Sequence, residues 1–192
     1  MDLKCIQHKK FIATTNSNHD LPIAPNLLNQ NFKIIEPGIV YGTDITYIPT
    51  GEGWLYLAGV KDFGSRELIG YAMSERMTKE LVHEALKKAF QYCKPQLRCI
   101  HHSGHGSQYC ALSYQSFLND TGLNASMSRR GNCYDNVPTE SFWNSLKQEL
   151  VYQRKFNTRA EAKAAIQEYI EIFYNRIRRH SSLGNIAPVK YI

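Results

Sequence analysis

The chain has 192 residues, 43% of them hydrophobic, and a formal net charge of +6. That length bounds it to one ordinary domain with appended segments, and the composition excludes disordered, fibrous and collagen-like classes. No apolar run approaches the roughly 20 residues of a membrane span and the N-terminus has no signal-peptide core, so a cytoplasmic protein is expected.

Residues 1–36 read as an extended arm or linker, because TTNSNHDLPIAPNLLNQNF is rich in Asn, Pro and Ser and has no periodicity. Pro37 and Gly38 lead into three turn-bounded runs of β-branched and aromatic residues, IVYGTDITYI (39–48), WLYLAGVKD (54–62) and ELIGYAMS (67–74). They predict an antiparallel meander whose middle strand, apolar almost throughout, is buried on both faces. Thr78 is placed to cap a helix on which Leu81, Val82, Ala85, Leu86, Ala89 and Phe90 share one face, and Pro95 stops it. LRCIHHS (97–103) suits a buried strand parallel to the first, followed by a helix over 111–120 and a short strand at NASMS (124–128).

Pro138 fits the first turn of the next helix, with Phe142, Trp143, Leu146 and Leu150 on its apolar side. On another side, Glu140, Asn144 and Lys147 fall within about 60° of one another. Thr158 and Glu161 form a capping box for the last helix, with Ile166, Tyr169, Ile170, Phe173 and Ile177 as its stripe. That helix ends in RIRRHSSLG, where Arg178 and Arg179 suit the negative C-terminal pole. Trp54, Trp143, Tyr169 and Phe173 are assigned to the core. The order of elements is that of a mixed α/β sheet.

Five cysteines, Cys5, Cys93, Cys99, Cys110 and Cys133, form no CxxC pair and fit reduced thiols. A zinc site drawn from His101, His102, Cys110 and Cys133 would lack structural-zinc spacing. Charge is uneven: residues 1–140 hold 14 Lys or Arg against 13 Asp or Glu, and residues 141–192 hold 9 against 4. A basic C-terminal region suits a phosphate backbone, and equally a solvated helix face.

Phosphodiester transfer needs an attacking oxygen activated and a leaving oxygen stabilised, which two Mg²⁺ ions held by carboxylates accomplish together. Asp44 in the first strand and Glu140 in a helix's first turn are two such carboxylates. Each also has a simpler reading, a local hydrogen bond for Asp44 and helix-dipole complementarity for Glu140. A third acid belongs at the end of the strand in HHSGHGSQY, where Gly104 stands.

TDITYI, WLYLAGVKDFGSRELIGYAMSERMT, HHSGHGSQY, SMSRRGNCYDNVPTESFWNSLKQE and EYIEIFYNRIRRHSSLG together resemble the catalytic protein of bacterial insertion-sequence transposases with a retroviral-integrase-like core. The resemblance covers nearly the whole chain. It implies a ribonuclease-H-like fold, a five-stranded mixed sheet with helices on both faces. It also implies an Asp, Asp, Glu triad with two Mg²⁺ that nicks transposon ends and joins them to target DNA, within a homo-oligomer. Asp44 matches the first Asp and Glu140 the Glu. Where the family reads HSDRGSQY this chain reads HSGHGSQY, which puts Gly104 at the second Asp position with the family's thirty-five residues before Glu140.

An impaired copy is therefore expected, with little or no activity in Mg²⁺; partial substitution by His102 or His105 with Mn²⁺ or Zn²⁺, which accept imidazole more readily, is the lesser alternative. Such proteins usually carry helix-turn-helix material ahead of the core, so an N-terminally truncated chain is expected. It divides into the 1–36 arm, a 37–155 catalytic core and a basic 156–192 extension. Candidate DNA contacts are Asn144 and Lys147 beside the site, Ser107 and Gln108 after the glycine turn, and Arg129, Arg130, Arg176, Arg178 and Arg179. Ser107 and Gln108 equally suit a helix cap. Asp135 is expected to cap the YDNVP turn and Asp62 to sit in the FGSR turn. A non-catalytic nucleic-acid-binding remnant is the alternative.

Overall fold

The computed structural model describes residues 19–130 and 132–191. Strands β1 (Val40–Thr50), β2 (Gly53–Asp62) and β3 (Leu68–Ser74) form the antiparallel meander that their apolar, turn-bounded runs predict. β4 (Ile100–Ser103) pairs parallel with β1, and β5 (Asn124–Met127) pairs parallel with β4, giving the order β3-β2-β1-β4-β5. Parallel neighbours need long crossovers. These are supplied by α1 (Lys79–Tyr92) before β4, and by α2 (Ser107–Cys110) and α3 (Leu112–Asp120) before β5.

Two apolar layers sandwich the sheet. On one side Tyr41, Ile45, Val60 and Ala72 meet Leu81 and Leu86 of α1 and Tyr114 and Leu118 of α3. On the other, Ile48, Leu55, Leu57 and Leu68 meet Phe142, Trp143 and Leu146 of α4 (Val137–Glu149) and Ala162 and Ile166 of α5 (Arg159–Glu168). Helices on both faces follow from strands that are apolar on both faces. α1 rests directly on β3 because position 70 is glycine: a Cβ there would lie 2.5 Å from the Ala85 carbonyl oxygen and from the Ala89 nitrogen. Among the described residues no helix is long and apolar enough to cross a membrane.

Residues 1–18 of the expected arm lie outside the described residues, and residues 19–39 contain no helix or strand. Leu28 is nonetheless buried, packed with Val40 and Phe63. Asp62 is a turn acid as expected and is fully buried. One carboxylate oxygen accepts from the Gly64 and Ser65 amides (2.7 and 3.2 Å), and the other accepts from the Gly38 amide (2.6 Å).

Several local expectations are corrected. The helix expected over 111–120 is α3, and a helical turn the sequence reading did not include, Ser107–Cys110, precedes it, separated by a break at Ala111, φ −59° and ψ 131°. Thr78 occupies the N-cap of α1 without a side-chain cap bond. At α5, Thr158 accepts from the Glu161 amide (3.1 Å), but Glu161 reaches back to the Asn157 amide (2.9 Å) rather than to its own cap residue. The last helix widens into π turns over Tyr169–Tyr174, which rotates its stripe. Tyr169 and Ile170 stay buried, whereas Phe173 and Ile177 are 40% and 59% exposed. Trp54 is 49% exposed as well, packed edge-on against Tyr47 at 4.8 Å, because it lies beside the turn that closes the β1–β2 hairpin.

Asp135 does more than cap its turn. Its buried carboxylate accepts from the Arg129 amide and guanidinium (2.8–2.9 Å), from Asn26 Nδ2 (3.0 Å) and from Gln30 Nε2 (2.9 Å), tying the arm to the β5–α4 connection. Asp135→Ala is expected to cost on the order of 3 kcal/mol, since it strands a charge and several donors. The Arg129 guanidinium holds the carboxyl below its ordinary range. Its stabilisation is therefore present above the unfolded value near pH 4 and lost as pH falls below it. Urea unfolding at pH 7 and pH 3 checks this: the variant's deficit should shrink at the lower pH.

Candidate active site

The parallel register of β1 and β4 pairs Thr43 with Ser103, the last residue of β4. One step further along, Asp44 and Gly104 stand abreast at the C-terminal end of that pairing, on the same side of the sheet. The helix α4 crosses above because position 42 is glycine: a Cβ there would strike the Phe63 ring and lie 2.5 Å from Thr139 Oγ1. Its first turn carries Glu140. One turn on, the Trp143 indole donates to Asp44 Oδ2 at 3.1 Å.

Burial pushes the Asp44 carboxyl up to about 6, opposed by the Ile45 amide, raised further by the negative charge of Glu140, and lowered by Trp143 and Lys147. Burial raises Glu140 too. It lowers Lys147, against the pull of Asp44. Lys147 lies 5.1 Å over the Tyr47 ring. The structure thus gathers Asp44, Glu140 and Lys147, with Asn144 exposed on the same helix. The sequence reading did not anticipate Trp143 as the donor that orients Asp44. Its position three residues after Glu140, one helical turn along, was the available signal.

The sign of the Asp44 shift gives a stability prediction. A carboxyl raised in the folded state costs stability once ionised, so the penalty grows as pH rises from about 4 through about 6. Asp44→Asn is expected to melt above the native chain at pH 8 and level with it at pH 4. A gain that is the same at both pH values would contradict the assignment.

Among the described residues no three His, Cys, Asp or Glu are grouped to hold a metal ion. The local donor set is two carboxylates, one of whose oxygens is already engaged by an indole. At Gly104 a Cβ would meet nothing within 4 Å, so the third corner is open space.

The histidines do not fill that corner as the sequence suggested. His102 is buried, with Nδ1 2.9 Å from Ser126 Oγ and Nε2 2.8 Å from the Asp135 carbonyl. His101 bonds Tyr114 at 2.9 Å, and Cys110 is buried with its sulfur 3.8 Å from that of Met127. These are satisfied core residues, which removes the zinc reading. Cys5 and the Cys133 side chain lie outside the described residues. In contrast to His102, His105 keeps a buried Nδ1 without a partner.

The other candidate contacts separate. Gln108 is corrected: it is buried and donates to the Met77 carbonyl at 3.2 Å, facing the interior. Ser107 opens α2 and is half-buried. Arg129 pairs with Asp135, and Arg178 with Glu149 at 2.9 Å. Arg176 is exposed, its Nε donating to the Glu171 carbonyl at 3.1 Å, and Arg130 and Arg179 are exposed.

The integrase core domain matches residues 36–133, and a second integrase core domain description matches 121–188. The chain belongs to the integrase-core family. The insertion element IS600 uncharacterized 31 kDa protein of Shigella sonnei is 57% identical over 98% of this chain and 70% of its own length. The transposase InsF for insertion sequence IS3A of Escherichia coli (strain K12) is 42% identical over 98% of this chain and 66% of its own length. The chain is thus similar to insertion-sequence transposases throughout, while spanning about two thirds of these relatives. Among solved structures, the HTLV-2 integrase catalytic core domain in complex with magnesium, in its trimeric form, matches with a TM-score of 0.60 at 12% identity, covering 83% of this chain and 99% of that one. The sheet order and this likeness make the fold ribonuclease-H-like, as the sequence resemblance implied.

Proposed function

We propose that this chain supplies the catalytic core of an insertion-sequence transposase, which cuts DNA and joins strands by metal-dependent phosphodiester transfer, and that Gly104 leaves this copy impaired. The observation that carries the reading is the placement of Asp44 and residue 104 side by side where the β1–β4 pairing ends, beneath the first turn of α4 with Glu140. Residues 37–155 form the core in this reading and 156–192 an extension packed on it. The substrates are transposon ends and target DNA, handled by a homo-oligomer because two ends must be joined.

Mg²⁺ activates the attacking oxygen and stabilises the leaving one in such chemistry. Asp44 and Glu140 are the ligands at hand. They do not make a two-ion set, since the donor set is one carboxylate short. The remaining residues position groups. Trp143 fixes the orientation of Asp44 through its indole N–H. Lys147, partly buried beside Asp44, offers a cation to a strand phosphate, with Asn144 one turn nearer Glu140. Arg130, Arg176 and Arg179 offer further backbone contacts.

The same missing carboxylate favours a second reading, a DNA-binding remnant that keeps the fold and the basic C-terminal region. Plasmid nicking and strand transfer in Mg²⁺ and then Mn²⁺ separate the two. The native chain is expected to be silent, Gly104→Asp active, and Gly104→Asp with Glu140→Gln silent again. Cutting by the native chain that Glu140→Gln abolishes would mean that another group completes the site. Silence from all three, with salt-sensitive DNA binding retained, would favour the remnant.

A further inference from the structure

A polar cavity of about 420 Å³ lies beside α4, between it, Lys61 of β2 and the RRHSS segment. It is lined by Lys61, Arg178, Arg179, His180, Ser181 and Ser182, with Ser141 and Ser145 of α4 closing one wall. The turn that presents these groups is built. His180 and Ile186 form a β-bridge, the Asn185 amide donates to the His180 carbonyl at 2.9 Å, and Gly184 takes the left-handed conformation, φ 71°, that closes the loop.

Its charge is unbalanced. Lys61 is 4% exposed near the end of a largely apolar strand, its ammonium donates to the Pro138 carbonyl at 2.9 Å, and it lies 5.8 Å over the Tyr174 ring. An ammonium carries three donors, so two remain to be satisfied. His180 lines the same cavity with Nε2 buried and unpartnered. The nearby carboxylate, Glu149, is already shared between Arg178 and the Tyr169 hydroxyl. Burial, then Arg66 and Arg178, push Lys61 down to about 7, and burial, then Lys61, Arg178 and Arg66, push His180 down to about 4. Buried cations are retained where a counter-charge completes them.

We propose that this cavity is a binding site for a phosphate group, held by Lys61, Arg178, Arg179 and the Ser181 and Ser182 hydroxyls, and that the phosphate is one of a DNA backbone passing the active site. The source is indicated by continuity. A neighbouring groove along α4 is lined by Val137, Glu140, Asn144, Gln148 and Glu149 and shares Ser141, Ser145 and Arg178 with this cavity, and Glu149 is neutralised by its pairing with Arg178. A strand positioned at Glu140 therefore has a continuous groove to it, and a phosphate supplies the negative charge and acceptor oxygens that the cavity's cations call for. The site does not depend on metal binding or cleavage, so the test needs neither.

Two variants probe it. Lys61→Met removes the buried cation, and Ser182→Glu places a tethered carboxylate at an exposed rim position where the fold is not at stake; thermal melts confirm folding of each. Calorimetric titration with inorganic phosphate at constant ionic strength, and anisotropy with a labelled duplex, read the outcome. The native chain should show saturable phosphate binding that both variants weaken at least 10-fold, and DNA affinity should fall about 5-fold or more in the same variants. Loss of phosphate binding with unchanged DNA affinity would keep the pocket but assign it to a free phosphate-bearing small molecule, overturning the backbone source. Phosphate binding absent from the native chain, or equal in a folded Ser182→Glu, would overturn the pocket. Native phosphate binding without any DNA binding would keep the pocket but overturn its backbone source, and would count against the transposase reading on which that source rests.

Discussion

Gly104→Asp is expected to raise metal-dependent strand cleavage by on the order of 10³-fold or more, the scale of restoring a ligand shared by two ions. Residue 104 follows the last parallel pair of β1 and β4, so a carboxylate there would project beside Asp44 and toward Glu140. The space for it is empty, and the glycine uses no left-handed conformation that a side chain would strain. A third acid also brings repulsion into a place where burial already raises Asp44 to about 6 and raises Glu140. The metal-free variant should therefore melt below the native chain above about pH 6, and Mg²⁺ should raise its melting temperature far more than it raises the native chain's. A variant that folds but shows neither a Mg²⁺-dependent melting shift nor cleavage would sink the ligand assignment.

Trp143→Ala is expected to destabilise the fold by about 3–5 kcal/mol, the range for deleting a buried large aromatic. Trp143 is 5% exposed, packs at 4.8 Å against Phe142, and fills a slot shaped by Gly59, where a Cβ would come within 2.9 Å of the indole. It also joins packing to chemistry through its bond to Asp44. Trp143→Phe should separate the two roles, keeping most of the packing while removing the donor that favours the ionised carboxylate. Introduced with Gly104→Asp, it should leave a folded protein whose activity rises with pH later than that of Gly104→Asp alone. Denaturant unfolding and a pH–rate profile provide the two readouts. An unmoved profile would show that the indole serves packing only.

Some features were legible because each depends on short-range pattern. Turn-bounded β-branched runs specify β1, β2 and β3, and the helical spacing of Leu81, Val82, Ala85, Leu86 and Ala89 specifies α1. Glu140 in the first turn of α4 follows from Pro138. Gly104 at a strand end is equally local, and its match to the family's second Asp came from the resemblance of HHSGHGSQY.

Other features needed partners distant in sequence. The π turns at Tyr169–Tyr174 swing Phe173 and Ile177 to solvent, a departure that a 3.6-residue period does not contain. Gln108, Arg129, Arg178 and Asp135 read as surface or cap residues until packing gave each its partner, in the last case on an arm more than 100 residues away. The sequence by itself determined the strands and the places of Asp44, Gly104 and Glu140 at a strand, a strand end and a helix's first turn. Only the tertiary structure decided that Trp143 serves Asp44, that His102 is spent on Ser126 and Asp135, and that Lys61 faces a polar cavity, because burial and hydrogen-bond partners belong to the packed chain rather than to its pattern.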